Sequence, residues 1–288
     1  ARTYADVGRF ARDTLRVHSQ ISDGTQGWLR RRPQGEGLFK VFGLDGWWPA
    51  MPVNAAERSD SPQALAAALR ATLSHTDRLV VASEALAEQC AGLHSDIRVM
   101  PARLDPRQWS GLNTLRGTGD KMRVGWFGSA ADVGDLEIIH KLVGQLADRV
   151  EWVFYGYCPP SLRPLMTEYH VAVQPTHFAQ KLASLNLDLA LLPMADNLWN
   201  RTLSPRRVLE YGACGVPVIC SDLLSTRDVA AVTRVENKPK LWREAIENHL
   251  NDRAASAAFG DALRAYVQEK GFWDEETLLQ QARIWLPD

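Results

Sequence analysis

The sequence predicts an α/β fold built on parallel sheets, and three observations predict it. Short apolar runs alternate with helical stretches along most of the 288 residues, the pattern of strands joined by crossover helices. The helical stretches open on capping residues, as in Ser61 before Pro62 and Ser83 before Glu84. A polar segment without periodicity, residues 105–121, divides the alternation in two.

In the first part, strands are expected at 17–21, 39–44, 79–82 and 97–100, with helices at 62–75 and 84–92. Asp105-Pro106, Gly111, Asn113, Gly117 and Gly119 punctuate the divide, which reads as an interdomain linker. The second alternation opens with Arg123-Val124-Gly125-Trp126-Phe127-Gly128, a strand running into a glycine turn. A helix at 134–147, strands at 151–155 and 171–173, a helix at 178–185 and a strand at 187–193 follow. A polar loop, 194–203, leads to a helix at 205–214 and a strand at 217–220. A helix at 239–251 and further C-terminal helices end the chain. Two Rossmann-like domains, 1–112 and 113–288, account for this order most simply, the first being reduced.

Composition narrows the function classes. An apolar fraction of 45% with 23% charged residues is that of a globular protein able to bury its own core. The formal net charge of −1 provides no overall field for nucleic acid or anionic lipid, and Arg30-Arg31-Arg32 reads as a solvated loop. No nucleic-acid partner is expected. The four cysteines, Cys90, Cys158, Cys214 and Cys220, show no CxxC spacing, which points to neither zinc nor a disulfide framework and suits a reducing cytosol. No apolar run approaches the ~18 residues of a membrane span, and a cytoplasmic location is expected. The chain begins with Ala, which suggests a processed product or a piece of a longer polypeptide.

The chemistry concentrates in residues 197–222. Ser204 is a good N-cap, Pro205 suits a first helical turn, and Gly215 followed by Pro217 ends the helix. A helix start carries unpaired N–H groups and positive potential, so it can hold a phosphate. Arg206 and Arg207 oppose that dipole, an arrangement that makes sense if an anion sits there. Glu210, one turn on, can accept two hydrogen bonds from a ribose diol. An exposed Arg206–Glu210 i,i+4 pair accounts for the same two residues without a ligand.

This segment resembles the donor-binding signature of retaining GT-B glycosyltransferases of family 4, the "glycosyl transferases group 1" branch. The agreement runs through Ser204, a basic residue, Leu209-Glu210-Tyr211 and Gly215-Val216-Pro217-Val218. Gly128-Ser129 with Asp135-Leu136, the strand ending at Pro193, and Leu44-Asp45-Gly46-Trp47-Trp48 are similar to other parts of that family. The resemblance covers roughly residues 38–250. It implies a GT-B fold, two Rossmann-like domains facing a cleft, with the last helix, 275–285, crossing back to the first domain. It implies a donor that is a nucleotide-diphosphate sugar, an acceptor that is a glycan or lipid-linked, and transfer with retention and without metal or other cofactor. A role in bacterial surface polysaccharide synthesis, with peripheral association at the inner membrane face, follows from the branch. Glu210 would bind the ribose hydroxyls and Arg207 would face the diphosphate, assisted by Ser204. Gly128 and Ser129 would let the donor approach, Asn197 and Asn200 would line the sugar pocket, and Asp45 would serve the acceptor side.

The pattern also breaks. The first glutamate of the family's pair is Thr202, the lysine before the loop serine is Leu203, and no histidine stands in the turn at 130–133. His18, His75 and His94 have no catalytic context, and Asp188 reads as structural. A degenerate GT-B module that binds without turnover is therefore the alternative. A nucleotide-sugar epimerase lacks its histidine and paired carboxylates, and a dehydrogenase lacks a GxGxxG.

Overall fold

The computed structural model describes residues 39–52, 61–117, 119–129 and 132–287. The strand expected at 17–21, His18 and the Arg30-Arg31-Arg32 run lie outside these residues. Two all-parallel sheets form. The first holds β1 (Val41–Leu44), β2 (Arg78–Val81) and β3 (Ile97–Val99), in that order. Helices α1 (Pro62–Leu73) and α2 (Glu84–Gln89) connect them. Both helices start as their sequences dictate. Ser61 Oγ accepts from Ala64 N at 3.1 Å, and Ser83 Oγ accepts from Leu86 N at 3.1 Å, each satisfying an otherwise orphaned amide. Phe42, Leu44, Leu69, Leu73, Leu79, Val81 and Leu86 form the core of this unit.

The second sheet holds β4 (Met122–Gly128), β5 (Val150–Gly156), β6 (Glu168–Val171), β7 (Leu189–Leu192), β8 (Val218–Ser221) and β9 (Thr233–Val235), ordered β6-β5-β4-β7-β8-β9. Both faces are buried, which is why its central strands read as continuous apolar runs. Val124, Trp126, Trp152, Phe154, Leu189 and Leu191 point to one core. Phe127, Val153, Tyr155, Ala190 and Leu192 point to the other. Helix α3 (Pro106–Trp109) precedes this sheet. The helices after β4 are α4 (Val133–Leu136), α5 (His140–Gln145), α6 (Phe178–Ser184), α7 (Leu198–Thr202) and α8 (Arg206–Ala213). Helices α9 (Pro239–Asn251), α10 (Arg253–Tyr266) and α11 (Glu275–Trp285) follow the last strand.

Several local expectations are corrected. The segment 105–121, expected as an interdomain linker, is anchored along its described residues. Asp105 caps α3, and Trp109 on that helix is buried against Phe178 at 5.8 Å between ring centroids. Thr114 Oγ1 donates to Leu187 O at 3.1 Å, and Gly117 N and Arg123 N both donate to Asp188 at 2.8 Å. Asp188 is thus the structural clasp its place in a strand suggested. The helix expected at 134–147 is two short pieces with tight turns between them. The strand expected at 171–173 lies upstream, because Glu168–Val171 pairs with β5 and leaves Val171 and Val173 exposed. The loop 194–203 contains α7, with Asn197 as its cap. The helix expected at 205–214 begins at Arg206, with Pro205 as a cap that supplies no side-chain bond, so Ser204 does not cap it. Gly215 has φ +73°, the left-handed conformation that ends the helix.

The C-terminal helix α11 lies against the first sheet. Arg78, 2% exposed, donates from Nη1 to Ile284 O at 3.0 Å and Leu286 O at 2.7 Å, and from Nε to Asp96 at 2.6 Å. A buried guanidinium thus satisfies the carbonyls that a helix end leaves orphaned. The four cysteines are free and buried. Among the described residues, no helix is long and apolar enough to cross a membrane.

Candidate functional site

The order of the second sheet sets where a ligand can bind. From β4 the chain moves outward through β5 and β6, and from β7 it moves the other way through β8 and β9. The connections therefore diverge between β4 and β7, leaving a crevice at their carboxyl ends. The carboxyl ends of β1, β2 and β3 face the same crevice. Leu44 and Asp45, Val81 and Ala82, and Met100 line one wall, while Ser129, Leu192 and Met194 line the other. The space between them is a cavity of about 620 Å³, a size typical of small-molecule sites. A neighbouring cavity of about 420 Å³ shares Ala82, Ala102, Leu203, Pro205 and Ser225 with it. That second space is lined by three acids, Glu84, Glu88 and Asp228, and by three cations, Arg103, Arg201 and Lys270. The larger cavity is the one that lies at the divergence point of the second sheet.

Arg206 and Arg207, in the first turn of α8, reach the larger cavity from below. Arg207 Nη2 donates to Asp132 Oδ1 at 2.5 Å, and its guanidinium carbon lies 5.9 Å from the Phe127 ring centroid. Burial works against the Arg207 charge, but Asp132 offsets this by charge and hydrogen bond and holds the guanidinium above its usual range. Asp132 Oδ2 also accepts from Ser129 N at 2.8 Å and from Ser129 Oγ at 3.0 Å. Asp135, one turn along, accepts at Oδ1 from Ala195 N at 2.7 Å and from Asn200 Nδ2 at 2.9 Å. Burial pushes its carboxyl up to about 6, against the pull of those two bonds.

The residues expected at the site divide into two groups. Asp45, Ser129, Ser204 and Arg207 line the cavity together, Asp45 on the wall of the first sheet and exposed. Gly128, Asn197, Asn200 and Glu210 are not among its lining. Gly128 is pinned from within, since a Cβ there would meet the Trp126 ring at 2.4 Å. Asn197 uses its side chain as the cap of α7, accepting from Asn200 N at 2.9 Å. Asn200 is buried and turned toward Asp135 and the Ala195 carbonyl. Glu210 is buried, and its Oε1 accepts from Arg206 Nε at 2.8 Å. Burial pushes the Glu210 carboxyl up, and Arg206 opposes this. The i,i+4 pair thus forms, with only its arginine exposed.

The positions that break the family pattern join the two sheets' units. Thr202 Oγ1 accepts from Trp47 N at 3.2 Å, and Thr202 O accepts from Ser83 Oγ at 2.7 Å. Leu203 packs beside Gly46, where a Cβ would meet the Trp199 ring at 2.8 Å and Leu203 at 3.1 Å. Gly46 is therefore the residue that lets the turn after β1 close onto α7. Trp48 and Trp199 meet edge to face at 6.1 Å across the same contact. No motif in the sequence marks a role for Asp132 or Asp135. The available signal was their i,i+3 spacing just after a glycine turn at a strand's carboxyl end.

No family model and no curated protein matches the chain. Solved structures do. TarM superposes with a TM-score of 0.64 at 12% identity over 88% of this chain, which spans about half of that protein, 51%. HepE from Anabaena, solved with UDP and glucose, superposes at 0.63 with 14% identity, over 99% of this chain and 84% of that one. WaaG, a glycosyltransferase involved in lipopolysaccharide biosynthesis, superposes at 0.59 with 15% identity, over 90% of this chain and 80% of that one. The chain has the GT-B fold. In that fold the crevice between the carboxyl ends of two parallel sheets is the interdomain cleft, and here it is the cavity that holds Asp45 and Arg207 on opposite walls.

Proposed function

We propose that this chain is a glycosyltransferase that moves a sugar from a nucleotide-diphosphate sugar to an acceptor. The observation that carries this reading is the placement of Arg206, Arg207 and Ser129 at the divergence point of the second sheet, across one cavity from Asp45. The solved complexes of HepE with UDP and with UDP-glucose support a donor of that class. As the bond from the anomeric carbon to the diphosphate breaks, negative charge gathers on the leaving oxygen and the sugar gains oxocarbenium character. Arg207, pre-oriented and partly desolvated, stabilises that charge, as do the free amides at the start of α8. Electrostatic stabilisation of this kind is compatible with transfer that retains configuration and needs no metal. Asp45, on the opposite wall, accepts a hydrogen bond from the acceptor hydroxyl. Glu210 meets the donor ribose only after Arg206 swings away from its carboxylate. We place the reaction on the cytoplasmic side of the membrane, with a glycan or lipid-linked acceptor in surface-polysaccharide assembly, a role that the likeness to WaaG supports.

A second reading is a binding module without turnover. It is favoured by Thr202, which serves as a domain contact where the family pair would place a glutamate. Calorimetric titration with nucleoside diphosphates and their sugars, on wild type and Glu210→Ala, tests the donor site. Micromolar binding of one nucleotide, lost in the variant, is expected. Incubating the bound nucleotide sugar with candidate glycan acceptors then separates the two readings. Release of nucleoside diphosphate with a new glycosidic product marks a transferase, and binding without release marks the module. Absence of binding to folded protein defeats the donor site altogether.

A further inference from the structure

We propose that Asp132 is a positioning residue for donor binding, one carboxylate that fixes both the anion-binding arginine and the turn opposite it. The proposal rests on the donor reading given above and adds to it a residue outside the family's signature. Asp132 is 4% exposed, and its two oxygens serve two different elements. Oδ1 accepts from Arg207 Nη2 at 2.5 Å, on α8. Oδ2 accepts from Ser129 N at 2.8 Å and Ser129 Oγ at 3.0 Å, on the turn after β4. Arg207, Ser129 and Asp132 all line the cleft. The carboxylate therefore sets the distance between the glycine turn and the start of the helix, the two surfaces between which a diphosphate would lie.

Electrostatics alone would not choose this residue. A carboxylate beside an anion site repels the anion, so a site selected only for positive charge would carry none. What Asp132 supplies is geometry. An arginine has many rotamers and loses entropy when a ligand orders it. With Asp132 taking one of its five N–H donors, the guanidinium is ordered in advance and keeps the others for a ligand. The Phe127 ring near the guanidinium limits its rotation further.

The test compares binding of nucleoside diphosphates (UDP, GDP and ADP) with binding of the matching nucleosides, by calorimetry and competition. The proteins are wild type, Asp132→Asn, Asp132→Glu, Arg207→Ala and the double variant Asp132→Asn with Arg207→Ala, each checked for a cooperative melt. Asp132→Asn keeps the size of the side chain but removes its charge. It is expected to weaken binding of the diphosphate by about tenfold or more and leave the nucleoside unchanged. Asp132→Glu, which restores the carboxylate, is expected to recover part of the loss, and it carries the test if the asparagine variant does not fold. In the Arg207→Ala background, Asp132→Asn is expected to cost less than it does in wild type, since only its hold on the Ser129 turn remains to be lost. The proposal is overturned if Asp132→Asn binds the diphosphate as well as wild type or better. Equal losses for nucleoside and diphosphate, or additive losses in the double variant, overturn it too by making the role merely structural. If folded wild type binds no nucleotide, the donor reading fails and this assignment falls with it. That outcome is distinct from wild-type binding that is indifferent to Asp132.

Discussion

Two carboxylates three residues apart, Asp132 and Asp135, organise the cleft, and they do so differently. Asp132 is paired with a cation, whereas Asp135 is buried with neutral donors, Ala195 N and Asn200 Nδ2, and its carboxyl is pushed up to about 6. A folded-state value above the unfolded one means that the native protein binds more protons between about pH 4 and pH 6. The stabilisation that the protonated form provides is complete below the unfolded value and is lost as pH rises through about 6. Asp135→Asn mimics the protonated side chain and retains an oxygen that can accept both bonds. We expect it to stabilise the protein at pH 7 by about 2 kcal/mol, with the advantage vanishing near pH 4. Thermal melts of both proteins across that range provide the check, and parallel pH profiles would refute the assignment. The place of Arg207 at a helix start was legible at this scale, because two arginines against a helix dipole are electrostatically odd. That of Asp132 was not, because only the fold sets its carboxylate beside α8.

Among the elements, the strands other than β6 and β9 and the hydroxyl caps of α1 and α2 were legible along the chain. Ser61 and Ser83 cap the helices they precede, since a cap is a contact within three residues. Short helices such as α3 and α7 were not legible, since they have too few residues to show a period. Helix α7 is held by its contacts instead: Asn197 caps it, and Thr202 binds the backbone of Trp47. Thr202→Val preserves shape but removes the hydroxyl, leaving Trp47 N without that partner. We expect a loss of about 1–2 kcal/mol, read as a lower denaturant midpoint. An unchanged midpoint would mean that the contact between α7 and the turn after β1 contributes nothing to stability. The same substitution leaves the Thr202 carbonyl bond to Ser83 in place, so any effect reports the hydroxyl alone.

Across the whole molecule, the two sheets are held in register by a few polar contacts and one returning helix. Arg78, in the strand β2, takes up carbonyls at the end of α11, more than two hundred residues later. Arg78→Leu would leave those carbonyls without their donor and Asp96 with Arg98 as its remaining cation, a loss of about 1–3 kcal/mol. We expect α11 to detach before the second sheet unfolds, seen as faster amide exchange across residues 275–285 than across β4 and β7. Uniform exchange in both regions would show instead that the helix and the sheet unfold as one unit.

The α/β class, most of the parallel strands, the caps of α1 and α2 and the basic start of α8 can be read along the chain, because each follows from neighbouring residues or from a short period. The fold sets which of those residues meet. It placed Asp45, Ser129, Ser204 and Arg207 around one cavity, turned Asn200 inward to Asp135, closed Glu210 under Arg206 and made Thr202 a joint between domains. The physical reason is the order of the second sheet. The divergence of its connections between β4 and β7 opens the crevice and brings together side chains from distant segments, and no local pattern in the chain encodes that divergence.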